Sequence, residues 1–186
     1  MEFDNEELVA LARLDIEKGD IESALAKLKL VLGGKKPPLV AKAMAARIYA
    51  QLGIYDRATR YFEDFLKQEP EAVVEQFQLG MAYLDSGEEA SALKVWDKLL
   101  EKAPTHPPAL FHKAVVNFRA KNTEEARQSL DALLKNAPAD NLYFSRAKEL
   151  LNAIDSDASV RGREIPAEPT SSEKGIMSRN AYNTEH

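Results

Sequence analysis

No cysteine occurs anywhere in the 186 residues. Disulfide frameworks, thiol nucleophiles and cysteine-ligated zinc are therefore all excluded, and a reducing compartment fits. A basic excess is missing too. The formal net charge is -5, whereas a general binder of nucleic acid or of an anionic membrane needs a basic face. Apolar runs are short, and none approaches the roughly 20 residues of a membrane-spanning helix. The opening "MEFDNEELVA" is acidic and lacks the basic and apolar regions of a secretory leader. The expectation is a cytoplasmic protein that binds no nucleic acid and inserts in no membrane. No stretch alternates apolar and polar residues with a period of two for long enough to be a strand.

Chemistry-bearing motifs are scarce as well. Glycine-rich phosphate loops, nucleophile elbows and the H-E-x-x-H zinc motif do not occur. Of three histidines, His106 and His112 stand six apart in "THPPALFH". That is not the i, i+4 spacing that sets two ligands on one helix face. Carboxylate pairs such as Glu6/Glu7 and Glu124/Glu125 fall in first turns of expected helices, where they answer the helix dipole. No catalytic residues, metal or cofactor are expected, and the protein is read as not an enzyme.

What the chain does have is a period. Gly19, Gly53 and Gly87 stand 34 apart, with Lys121 at the fourth position. Five residues beyond each come Ala24, Ala58, Ala92 and Ala126, then the bulky Leu28, Phe62, Trp96 and Leu130. Val31, Phe65, Leu99 and Leu133 follow three later, and Pro70, Pro104 and Pro138 close the last three units. Apolar residues three and four apart form one stripe on a helix. The fixed alanine lets a second helix approach closely. Glycine permits the left-handed backbone that ends a helix, and proline stops the next one. A similar stripe precedes each glycine, as in Leu79, Gly80 and Tyr83. Each unit thus reads as helix, tight turn, helix.

A 34-residue helical hairpin repeated four times resembles the tetratricopeptide repeat. Leu79, Gly80, Tyr83, Gly87, Ala92, Trp96, Leu99 and Pro104 stand where that family's pattern has its characteristic residues. Departures fall mainly in the outer units. Asp15 and Asn117 occupy a position where the family prefers tyrosine, and Lys121 replaces glycine, while Lys42 and Gln76 replace the first large residue of the middle units. The resemblance implies an all-α, right-handed solenoid. Its repeats would cover about 5–38, 39–72, 73–106 and 107–140, with a capping helix at 141–154 completing a domain over 1–154. Residues 155–186, rich in Ser, Pro, Gly and charge, read as a flexible tail.

In arrays of this family the first helices line a concave groove. Positions five, nine and twelve of each unit share that face: Val9, Arg13, Ile16; Ala43, Arg47, Ala50; Phe77, Met81, Leu84; Phe111, Val115, Phe118. The candidate peptide-binding residues are Phe77, Met81, Phe111 and Val115 as apolar anchors, with Leu84 and Phe118 beside them. Arg13 and Arg47 would orient acidic groups. The bland alternatives are packing for Leu84 and Phe118 and a structural ion pair for the arginines. An aspartate at Phe111 is expected to spare helicity and abolish capture. Some tetratricopeptide domains grip the C-terminal carboxylate of heat-shock chaperones through Lys, Asn, Asn, Lys and Arg. The corresponding places hold Val9, Arg13, Met44, Val74 and Gln78, or one unit later Ala43, Arg47, Gln78, Pro108 and His112, so that partner class is not expected. The functional expectation is a protein-binding adaptor or chaperone for a protein or peptide partner. A dedicated secretion chaperone of the type III kind and a self-assembling homo-oligomer are the rivals.

Overall fold

The computed structural model describes residues 3–155. Among them it contains nine helices and no strand: α1 (Asn5–Lys18), α2 (Ile21–Leu32), α3 (Leu39–Gln51), α4 (Tyr55–Leu66), α5 (Val73–Asp85), α6 (Glu89–Lys102), α7 (Pro107–Arg119), α8 (Thr123–Asn136) and α9 (Leu142–Asp155). The tail expected over 155–186 lies outside the described residues beyond Asp155.

One turn joins the two helices of every repeat. Gly19, Gly53 and Gly87 have φ of 80°, 72° and 84°. The glycine amide reaches back three residues and the next amide reaches back five, as in Gly87 to the Leu84 carbonyl at 3.0 Å and Glu88 to the Tyr83 carbonyl at 2.8 Å. These paired bonds satisfy carbonyls that the helix end would leave open. The fourth turn has the same two bonds, from the Lys121 amide to the Phe118 carbonyl and from the Asn122 amide to the Asn117 carbonyl, with Lys121 at φ of 65°. A side chain in the left-handed region costs roughly 1–2 kcal/mol. The fourth turn therefore keeps its shape at the expense of strain.

The described residues fall into two compact units, one ending at Pro104 and the other beginning at Thr105. In the first, α1 packs on α2, α3 on α4 and α5 on α6, and the hairpins join through α2–α3 and α4–α5. Ala24, Ala58 and Ala92 are fully buried, and so are Leu28, Phe62 and Trp96 one helical turn further on. Small and large residues thus alternate along each second helix, which lets its partner lie close while the bulky side chain fills the space beyond. At α5–α6 the helices lie close: a Cβ on Gly80 would stand 2.1 Å from Trp96 Nε1. That indole N–H donates to the Phe77 carbonyl at 3.4 Å. Tyr83 ties α5 back to α4 by donating its hydroxyl proton to Glu63 at 2.5 Å.

The second unit repeats the hairpin in α7–α8, with Ala126, Leu130 and Leu133 fully buried. The expected capping helix is α9, which packs on both α8 and α7 and buries Ala147, Leu150 and Ile154. An ion pair between Arg127 and Asp155 fastens its C-terminal end to α8.

His106 caps α7. Its Nδ1 accepts from the Ala109 amide at 3.2 Å, and prolines follow at the first helical positions. Burial pushes this imidazole down to about 4, against about 6.5 for histidine in an unfolded chain. The sign follows from which state takes up the proton first. Above pH 6.5 both states are neutral and the stability is full. As pH falls toward 4 the unfolded chain is protonated before the folded one, so stability is lost. The second unit is expected to lose on the order of 2–3 kcal/mol across that window. His106→Asn keeps a capping oxygen and should flatten that loss. Urea midpoints of both proteins at pH 7 and pH 4 check it.

Candidate protein-interaction surface

On α1, Val9 is buried, Ile16 is half-buried and Arg13 is exposed. Arg13 has no ion pair among the described residues. Arg47 differs. Its guanidinium bonds the Glu75 carboxylate on α5. Glu75 is largely shielded from water while the Arg47 side chain is 35% exposed, so the pair is only partly screened by solvent. The ion pair weighed as the alternative for Arg47 is present in the structure.

On α5, Phe77 and Met81 are half-buried and Leu84 is buried. One side of Phe77 rests on Trp96, with ring centroids 6.3 Å apart and planes inclined by 26°. Leu79, Gly80 and Tyr83 fill the packing positions of this helix, which leaves part of Phe77 and Met81 facing outward.

On α7 the outcome departs from the sequence reading. Phe118 is half-buried, but Phe111 is only 4% exposed and Val115 only 2%. The cause is α9. Tyr143 lies 5.5 Å from Phe111 between ring centroids, and the Arg146 guanidinium sits over the Phe111 ring at 5.2 Å. An open anchor at Phe111 is therefore corrected to a packed ring, as position five of α7 meets the next first helix along the chain. His112, at 5% exposure, is part of the same cluster, with its ring 6.0 Å from Tyr143.

One feature of the first unit escapes sequence reasoning. A cleft of about 380 Å³ opens between α3, the end of α4 and the start of α5. Its apolar lining includes Val40, Ala43, Met44, Phe65 and Ala72, and Arg47, Glu69 and Glu75 contribute its charged groups. The signal that could have found it is a volume comparison across repeats: position five is Val9, Phe77 and Phe111 elsewhere but Ala43 here. Phe65, in the place where Val31, Leu99 and Leu133 are fully buried, is correspondingly left half-buried.

Among the described residues no cluster of three or more His, Asp or Glu could hold a metal ion. Nor is any described helix long and apolar enough to cross a membrane.

Comparison with known proteins matches this geometry. Sequence profiles of the tetratricopeptide repeat match residues 44–72 and 77–141. No curated protein matches the chain. Among solved structures, YrrB, described as a TPR protein with an unusual peptide-binding site, superposes with a TM-score of 0.70 at 19% identity, over 78% of this chain and 74% of that one. MamA from AMB-1 gives 0.67 at 18% identity, over 73% and 79%. MamA 41-end from Desulfovibrio magneticus RS-1 gives 0.64 at 18%, over 82% and 78%. With helical hairpins in a 34-residue period, the same turn four times over and buried alanines in register, the chain belongs to the tetratricopeptide-repeat family.

Proposed function

We propose that this chain is a non-enzymatic scaffold that binds another polypeptide, with the face of α5 that carries Phe77 and Met81 as the contact surface. The observation that carries this reading is the state of α5. Phe77 and Met81 remain part-exposed on a helix whose packing positions are already occupied. Such residues cover a partner's apolar side chains on binding, and the flexible thioether of Met81 adapts to their shape. Leu84 and Phe118 extend the apolar character on their own helices. Arg13 is the cation left to meet an acidic group. The peptide-binding site ascribed to YrrB supports a role of this kind for the shared fold.

The test uses the full chain as bait in its native extract, with cross-linking and mass spectrometry to identify what is held at α5. Met81→Glu places a charge in the contact without opening the core. Capture of the cross-linked partner should fall at least about tenfold, a loss of 1.4 kcal/mol or more, while helicity by circular dichroism is unchanged. Undiminished capture by that variant would remove the inner face of α5 from the mechanism.

A further inference from the structure

Neither Phe77 nor Met81 lines the cleft beside Ala43, where the repeat carries a small side chain. Position five of the repeat carries an aromatic ring on α5 and α7, and on α3 it carries one methyl group. The cleft is lined by Ala43 and Met44 of α3, 5% and 7% exposed, by Phe65 and Ala72, and by Val40, at 39% exposure. About 380 Å³ is at the lower end of the range for ligand sites.

Charge selects among the segments that could enter. The lining holds one cation and two carboxylates, Arg47, Glu69 and Glu75. Arg47 is already joined to Glu75. Glu69 is exposed just beyond the C-terminal end of α4, where the helix dipole also favours a positive charge. An acidic segment would meet a surplus of negative charge. A basic residue next to an aliphatic one would bury the aliphatic side chain and lay its cation against Glu69.

We infer that this cleft is a docking site for a partner segment in which an aliphatic side chain is flanked by lysine or arginine. The inference rests on the reading of the chain as an interaction scaffold, but it uses neither Phe77 nor Met81.

Methionine methyls make the two surfaces distinguishable, because Met44 lines the cleft and Met81 lies on α5. The full chain, labelled with ¹³C at its methionine methyls, is titrated with an end-blocked octapeptide carrying a central leucine between lysines. The Met44 signal should move and saturate with a Kd below about 1 mM, and the Met81 signal should stay still. The same peptide with glutamates for lysines should bind at least tenfold more weakly. Ala43→Phe, which installs the ring found at this position in the third and fourth repeats, should abolish the Met44 response. Val40→Lys, a change at an exposed position that folding tolerates, should weaken binding at least tenfold even if Ala43→Phe fails to fold. No Met44 movement at millimolar peptide, or equal binding of the glutamate peptide, overturns the proposal. Movement of Met81 alone also overturns it, while leaving the α5 reading intact. Loss of partner capture in Met81→Glu with Met44 still responding supports the two surfaces as separate.

Discussion

Trp96→Ala should remove about 3–5 kcal/mol from the first unit, the range for deleting a large ring from a well-packed core. Trp96 is fully buried, and its ring fills the place where Gly80 has no side chain. The companion change makes the argument sharper. Gly80→Ala gains roughly 1 kcal/mol in helix propensity, but its Cβ would fall 2.1 Å from Nε1 and 2.6 Å from Cε2 of the indole. The ring cannot retreat, because it is enclosed on all sides and its N–H is engaged by the Phe77 carbonyl. Overpacking wins, and Gly80→Ala should cost about 2 kcal/mol net. In the Trp96→Ala background the obstacle is gone, so the same change should become stabilising by up to about 1 kcal/mol. The reversal of sign in a double-mutant cycle, followed by urea denaturation, is the outcome to look for. Additive losses would mean that Gly80 and Trp96 do not share that space.

Phe111→Asp is the second large effect, and it falls on stability. A carboxylate at a position only 4% exposed would be stripped of water between α7 and α9. Arg146, now over the ring, is near enough to offset part of that cost. Loss of the ring and burial of the charge together should still remove about 3–5 kcal/mol from the second unit. Phe111→Leu, which retains most of the apolar volume, should cost no more than about 1.5 kcal/mol. Amide hydrogen exchange across α7 and α9 measures both variants. Wild-type protection in Phe111→Asp would mean that the ring is open to solvent after all.

The contrast between these residues shows what a repeat sequence discloses. Hairpins, turns and buried alanines recur because each follows from local chemistry at a fixed offset: backbone freedom at glycine, small volume at alanine, an apolar stripe with helical period. Lys121 is legible in the same way, since phase alone assigns it a left-handed turn. Contacts between repeats follow less directly. Arg47 and Glu75 are 28 residues apart, and nothing local to either one announces the other. Phe111 looks like its counterpart Phe77 in the repeat pattern. The difference is the neighbour: Tyr143 and Arg146 on α9 close over Phe111, while α5 leaves part of Phe77 uncovered. The cleft at Ala43 was hidden for another reason. It is made by volume that is missing, and patterns of apolar residues record only volume that is present.

The packing at α6 also has a spectroscopic consequence. Trp96 is the chain's single tryptophan, fully enclosed in the first unit. Selective excitation of indole therefore reports loss of order between α5 and α6, whereas far-ultraviolet dichroism averages over every helix. If the units melt at different temperatures, the two signals part company, and emission from one enclosed ring dates the opening of its own half of the molecule.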